Sequence, residues 1–435
     1  MGKAHKWTHL KPRCKPRRVA DTLVPKGVHG RASQIVQTAM TMRVLLKSPH
    51  WSTSGARCDI CVAVLSGGLG PHQVVCLSEL AGLLPGLRVV QVGSHRHRYP
   101  WRFTLDDFPL RSRTLCAGRA LEDISIRSQW SLTKKALDDM SPSVVVVASI
   151  IEPAAQAAAH WAWSRRVPIV LRWASTYSDR PRTWLRETIK RQMVGRYNVI
   201  AATGARADEY VRRLTFGRAR IRRVGNVVDN EHFMIQAEHI RSNQSRARTQ
   251  LKLPTRYFLA VSRLVEKKNL VVLLKAYKEY RDHGGDWELV IVGSGPLHTH
   301  LTAIVQVDCI PDVHFVGWVQ YDALPAYYTL ASCLVLASTS EPWGLVVNEA
   351  MACGLPVLVS ECCGCLPELC HAGRNGYHFP PGSHGCLVDL MIRVSADGGH
   401  LATLGRNSQE IVAPFSPRSW AQEMGACVRA ASESK

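Results

Sequence analysis

The chain has 435 residues, of which 46% are apolar and 20% charged, with a formal net charge of +21. This composition excludes wholesale disorder and a fibrous repeat, and the length exceeds one ordinary core, so two domains are expected. The longest apolar runs, Val144 to Ile151 and Cys333 to Ala337, have strand length. They fall well short of the roughly 20 residues that a membrane-spanning helix needs.

The positive balance attracts something anionic: nucleic acid, an acidic membrane surface or a phosphate-bearing substrate. Met1 to Ala20 carries Lys3, Lys6, Lys11, Arg13, Lys15, Arg17 and Arg18 with no acid and no apolar core of a signal peptide. Residues 1–41 therefore read as a flexible basic tail. The fourteen cysteines are scattered, and several sit inside apolar strands, which suits thiols in a reducing cytoplasm better than a disulfide framework. Cys58-x-x-Cys61 and the group Cys362, Cys363, Cys365 and Cys370 have spacings that thiolates use around zinc, but no second Cys or His pair repeats them. Small core and turn residues are the expected reading, with no metal.

From Cys61 onward, β-branched runs alternate with amphipathic stretches, the pattern of parallel strands joined by helices. Cys61 to Ser66 reads as a strand, Gly67-Gly68-Leu69-Gly70 as its loop and His72 to Leu84 as a helix. His72, after Pro71 at a helix start, is expected at the surface or in a capping role. Strands follow at Leu87 to Val92, Val144 to Ser149, Ile169 to Trp173 and Val199 to Ala202, with helices at Ala154 to Arg166, Trp184 to Arg196 and Ala205 to Leu214. Gln236 to Gln250 is polar and non-periodic, which marks a boundary. The pattern restarts at Tyr257 to Ser262 and continues through helix Leu270 to Tyr280 and strands at Trp287 to Val292, Val313 to Val316, Cys333 to Ala337 and Val357 to Val359. The expected fold is α/β: two doubly wound Rossmann-like domains facing a central cleft. Residues 42–235 form the amino-terminal domain, 236–252 a linker and 253–435 the second domain, with the last helix returning to the first. In this architecture ligands bind outside the carboxyl ends of the strands, so functional residues are expected in the loops after strands.

The most informative loop follows Cys333 to Ala337. Glu341 stands just before a helix from about Leu345 to Cys353, closed by Gly354 and Pro356. The free amides of Leu345 and Val346 and the helix dipole favour a diphosphate, Gly344 lets the backbone approach closely, and Glu349 is placed to accept hydrogen bonds from a ribose diol. The segment Glu341-Pro342-Trp343-Gly344-Leu345-Val346-Val347-Asn348-Glu349, continued by Ala350-Met351-Ala352-Cys353-Gly354-Leu355-Pro356-Val357, closely resembles the donor-binding signature of family 4 retaining glycosyltransferases, whose fold is called GT-B. The resemblance runs from about Cys61 to Trp420.

That resemblance implies roles. Within Ser262-Arg263-Leu264-Val265-Glu266-Lys267-Lys268-Asn269, Arg263 and Lys268 match the family's basic pair, whose charges stabilise a departing nucleotide diphosphate in place of a metal ion. Glu341 then reaches the transferred sugar. Gly293 and Gly295 in Val292-Gly293-Ser294-Gly295-Pro296 are expected near base or phosphate. Val316 in Val316-Gly317-Trp318 lies beside the base, and Gly67 and Gly68 bring amides toward the diphosphate. Asn226-Val227-Val228-Asp229-Asn230 is read as an interdomain segment. Gly364-Cys365-Leu366-Pro367-Glu368 is read as a structural turn. Many relatives carry a His after an amino-domain strand, whereas here Val144 to Ser149 leads into Ile150-Ile151-Glu152.

The implied function is a retaining, metal-independent glycosyltransferase that takes a nucleotide-sugar donor, needs no cofactor and serves cell-surface polysaccharide or glycolipid synthesis. Its acceptor is a saccharide, a lipid-linked molecule or a small molecule. Ser175, Asp179 and Arg180 form a candidate acceptor loop. The basic helix Trp184 to Arg196 suggests peripheral contact with an anionic membrane from the cytoplasmic side. Two other classes stay open: a nucleotide-sugar epimerase of the same fold, which would isomerise a donor without acceptor, and a basic nucleic-acid-binding protein, which would ignore it.

Overall fold

The computed structural model describes residues 60–434 apart from positions 102, 104, 180, 181 and 397. The tail at 1–41, the first residues of the expected amino-terminal domain, Cys58 and Arg180 lie outside the described residues.

The first sheet contains β1 (Val62–Ser66), β2 (Leu87–His95), β3 (Ser112–Ala120), β4 (Val144–Val147), β5 (Ile169–Trp173), β6 (Val199–Ala202) and β7 (Ile221–Arg223). All pairs are parallel, in the order β3-β2-β1-β4-β5-β6-β7. β4 is four consecutive buried valines, as a central parallel strand covered on both faces requires. Five helices connect these strands: α1 (Pro71–Leu83), α2 (Ile126–Met140), α3 (Pro153–Ser164), α4 (Trp184–Val194) and α5 (Ala205–Thr215). Ala63, Leu65, Val145 and Val147 share one core with residues of α2 and α3, while Val62, Val64, Val144 and Val146 share another with α1.

Residues 236–252, expected as a linker, are helical. They complete α6 (Asn230–Ser242) and form α7 (Gln244–Leu251). Asp229 caps α6 by accepting from the His232 amide at 3.1 Å, Phe233 and Ala237 enter the second domain's core, and Arg248 donates to the Leu330 carbonyl at 2.8 Å. Few apolar residues point inward, so the helical period is faint in the sequence.

The second sheet contains β8 (Tyr257–Val261), β9 (Glu288–Val292), β10 (Val313–Gly317), β11 (Cys333–Leu336), β12 (Val357–Ser360) and β13 (Gly376–Phe379), all parallel in the order β10-β9-β8-β11-β12-β13. Its helices are α8 (Leu270–Asp282), α9 (His298–Val307), α10 (Leu324–Leu330), α11 (Leu345–Ala352), α12 (Leu366–Leu369), α13 (His384–Ala396) and α14 (Leu401–Val412). The final helix, α15 (Pro417–Ser432), packs against α1 and places Trp420, Met424 and Val428 in the core beneath Val62 and Val64. No helix among the described residues is long and apolar enough to cross a membrane.

Because Trp420 is buried in the first domain's core, Trp420→Ala is expected to destabilise the protein by about 3–5 kcal/mol. A denaturant melt whose midpoint does not move would contradict this placement of the last helix.

Candidate active site

In each sheet the strand order reverses once, between β1 and β4 and between β8 and β11. A crevice opens at such a reversal because the flanking loops leave on opposite faces. Gly67 and Gly68 follow β1 and Glu152 follows β4, while Arg263 to Lys268 follow β8 and Glu341 follows β11. The motifs singled out in the sequence therefore occupy both reversal points.

The structure brings Lys268 and Glu341 together. The lysine Nζ donates to Oε2 of the carboxylate, and both side chains are only 13% exposed. Several backbone contacts hold Glu341 there. Its carbonyl accepts from the Gly364 amide at 2.8 Å, the Trp343 carbonyl accepts from the Cys365 amide at 3.2 Å, and the Thr339 amide donates to the Lys267 carbonyl at 2.9 Å. A Cβ on Gly364 would sit 1.9 Å from the Pro342 carbonyl oxygen, so glycine is required for the two loops to lie side by side. Burial lowers the Lys267 ammonium from its ordinary value, and the charge of Glu341 opposes that shift. Arg263 makes no ion pair with a described residue; its guanidinium lies 5.4 Å from the ring centroid of Tyr99. Lys267 thus sits among two further cations, Lys268 and Arg263, and two carboxylates, Glu341 and Asp179, a net positive cluster that favours an incoming anion.

Gly344, at φ 112°, is the amino-terminal cap of α11, and the Leu345 and Val346 amides of its first turn have no intrahelical acceptor. Glu349 lies within this helix and accepts a 2.5 Å hydrogen bond from the Tyr328 hydroxyl. Burial pushes its carboxyl up to about 7, against the pull of the Tyr328 bond. The flanking signature residues tie the domains together. Trp343 Nε1 donates to Asn348 at 2.8 Å, and Asn348 Nδ2 donates to the Asn226 carbonyl of the interdomain segment at 3.2 Å. The Trp343 ring also packs so closely on Gly204 that a Cβ there would lie 2.5 Å from it.

Gly293 and Gly295 have a more local reason than room for a ligand. A Cβ on either would collide with the carbonyl of Ser262 or Leu264, so they hold the β9 loop against the loop bearing Arg263. The Gly293 amide also donates to the Gly317 carbonyl at 2.8 Å, which fixes the end of β10 where Val316 lies.

Sequence reasoning missed an arm of the first domain, residues 96–101. Arg96 pairs with Glu152 at 2.5 Å over Gly67, Tyr99 covers Arg263, the Pro100 carbonyl accepts from Gln320 at 3.0 Å, and Trp101 lies against Trp318 with ring centroids 4.6 Å apart. The available signal was Tyr99-Pro100-Trp101, three ring-bearing residues in a row just beyond a strand. In the loop after β4, Ser149 Oγ accepts from the amides of Ile151 and Glu152, which fixes the start of α3.

His72 is half-buried, and the capping contact at the start of α1 is made by Gln73, whose side-chain oxygen accepts from the Gly70 amide at 2.9 Å. Burial, with help from the nearby Arg172 charge, pushes the His72 imidazole down to about 4, so it is neutral. In the candidate acceptor loop, Ser175 is exposed, whereas the carboxylate of Asp179 is occupied by the amide and hydroxyl of Thr176, both at 2.7 Å. The Asp179 carbonyl accepts from Ser340 at 3.1 Å, which puts this loop beside Glu341. Among the described residues, no three His, Cys, Asp or Glu side chains are grouped to hold a metal ion. Cys363, Cys365 and Cys370 are buried thiols, and burial pushes that of Cys370 up to about 12.

Residues 242–411 match the family model described as Glycosyl transferases group 1. The architecture is the GT-B fold of solved glycosyltransferases. Sucrose-phosphate synthase from Thermosynechococcus elongatus superposes with a TM-score of 0.67 at 21% identity, covering 85% of this chain and 98% of that one. HepE from Anabaena, in complex with UDP and glucose, gives 0.69 at 19% identity over 84% and 98%. Among curated proteins, the amylovoran biosynthesis glycosyltransferase AmsK of Erwinia amylovora is 35% identical over 144 residues, 32% of this chain and 35% of that protein. The alpha-monoglucosyldiacylglycerol synthase of Acholeplasma laidlawii is 25% identical over 165 residues, 38% of this chain and 41% of its own length. The matched regions thus span about two fifths or less of these two relatives.

The raised carboxyl of Glu349 has a consequence for stability. The folded state holds its proton more tightly than the unfolded state, so this group's contribution is complete below its ordinary value of 4.5 and is lost as pH rises through about 7. Glu349→Gln should flatten that part of the profile, an effect of at most a few kcal/mol. Melting temperatures of the two proteins across this range make the comparison, and parallel profiles would count against the buried carboxylic acid.

Proposed function

We propose that the chain is a glycosyltransferase that moves a sugar from a nucleotide-diphosphate donor to an acceptor hydroxyl with retention of configuration. The observation that carries this reading is the arrangement of Arg263, Lys268 and Glu341 around the mouth of α11 at the second sheet's reversal point. The module matched by residues 242–411 supports the reaction class, and the UDP and glucose bound by HepE support the donor class.

In this mechanism the donor diphosphate docks at the amides of Leu345 and Val346, beside Gly344, and against Arg263 and Lys268. The phosphate draws Lys268 from Glu341, whose freed carboxylate accepts from the sugar hydroxyls. Glu349 holds the ribose diol, the backbone beside Val316 meets the base, and the amides of Gly67 and Gly68 approach the diphosphate. As the bond between the anomeric carbon and the phosphate oxygen breaks, charge grows on that oxygen, and the two fixed cations stabilise it most in the transition state. The acceptor hydroxyl attacks from the same face and gives its proton to the leaving phosphate. No protein nucleophile or cofactor is required. The loop with Ser175 and Asp179 borders this position and receives the acceptor. The curated relatives include an amylovoran biosynthesis glycosyltransferase and an alpha-monoglucosyldiacylglycerol synthase, which supports a polysaccharide or glycolipid product; in this reading it is made on the cytoplasmic side for the cell surface.

Arg263→Ala and Glu341→Ala should each lower turnover by roughly a thousandfold while the circular dichroism spectrum is kept. Activity surviving both changes would remove these residues from the mechanism. Thermal-shift screening against a panel of nucleotide sugars should show one that raises the melting temperature; no shift with any of them defeats the proposal.

A further inference from the structure

The outer surface of the first domain carries an unusual face. In α4 only Val194 is fully buried, while Trp184 is 79% exposed and Leu185 and Ile189 are also exposed. Phe216, at the end of α5, is 67% exposed and lies beside this helix, with the guanidinium of Arg191 stacked 4.2 Å from its ring centroid and bonded to the Leu214 carbonyl at 3.0 Å. Water-facing aromatic and aliphatic groups gathered in one patch mark an interaction surface.

The charge along this helix is mostly positive. Residues 182–196 contain Arg182, Arg186, Lys190, Arg191 and Arg196 against Glu187 alone. That carboxylate is sequestered: Arg182, Lys190 and the Tyr210 hydroxyl all point at it, and this company holds it below its ordinary value despite the cost of burial. The face is therefore cationic at its rim and apolar at its crest. A second copy of the chain, or its own basic first 20 residues, would meet like charge. Nucleic acid would match the charge but not the aliphatic Leu185 and Ile189. A lipid surface matches both, with arginines at the headgroups and Trp184, Ile189 and Phe216 at the acyl boundary.

We propose that this face docks the protein on an anionic lipid bilayer. The patch continues through Tyr177 to Asp179, whose carbonyl accepts from Ser340 beside Glu341, so the docked face borders the cleft. If the cleft is a transferase site, as proposed above, the bilayer is where its acceptor lies. Docking itself does not depend on that reading.

The test is flotation of the full chain with vesicles of phosphatidylcholine alone and of phosphatidylcholine mixed with phosphatidylglycerol. Binding is expected only with the mixed vesicles and should weaken as salt is raised. The double variant Trp184→Ser, Ile189→Ser and the single variant Arg186→Glu should each lower it by roughly tenfold or more. Circular dichroism and the thermal shift given by a nucleotide sugar, both measured without lipid, report the fold and the donor site separately. Absence of binding to either vesicle, or binding that survives in both variants, would overturn the proposal. Loss of the thermal shift alone would bear only on the transferase reading.

Discussion

The interaction on which the rest of the site depends is the ion pair between Lys268 and Glu341. Two charges taken largely out of water are stable only if each is held in place for the other, and the surrounding loops do that holding. Gly364 lies against Pro342, Thr339 is bonded to Lys267, and the β9 glycines press on the strand end that leads into Arg263. Without these close approaches the ammonium and the carboxylate would separate toward solvent. With them, a lysine sits ready for a stronger anion, and an acid is released when that anion arrives.

The same loops also join the domains. Glu368 accepts from the Ala205 amide at 2.6 Å, at the amino end of α5, and Arg206 donates to the carbonyls of Glu361 and Cys363 at 2.5 and 3.0 Å. Trp343 fills the space above Gly204, and Asn348 reaches the crossing segment at Asn226. The residues that support Glu341 are thus the residues that grip the first domain, so the position of the acid and the relative position of the domains are one variable.

The two-sheet architecture was legible because central parallel strands are buried on both faces and read as unbroken apolar runs, as in Val144 to Val147. The missing strands are those for which that logic fails. β3, with the sequence Ser-Arg-Thr-Leu-Cys-Ala-Gly-Arg-Ala, is an edge strand with much of its length facing solvent, β7 is three residues long with two exposed arginines, and β13, Gly-Tyr-His-Phe, is a short edge strand of the second sheet. Helices α6 and α7 have only short inward faces. In the site, Glu341 and Glu349 could be read together because they lie on one strand-loop-helix unit, β11 to α11, whereas Lys268 stands on another, after β8, and meets Glu341 only in the folded domain. The arm from Arg96 to Trp101 was not legible, because its partners lie far away in the chain: Glu152 meets it through the packing of the first domain, and Arg263 and Trp318 through the packing of the two domains.

The return of α15 has a consequence for how the chain is made. One face of the first sheet, with Val62, Val64 and Val144, is covered only in part, by α1, until residues near Val428 have been synthesised, because Trp420 and Met424 complete its cover. The amino-terminal domain therefore cannot complete its core while it leaves the ribosome, as a domain contiguous in sequence would. It must wait, with that apolar face partly covered, for the residues of α15. Maturation of the two halves is thereby a single event, and premature termination anywhere in the second half leaves the first half adhesive as well as incomplete.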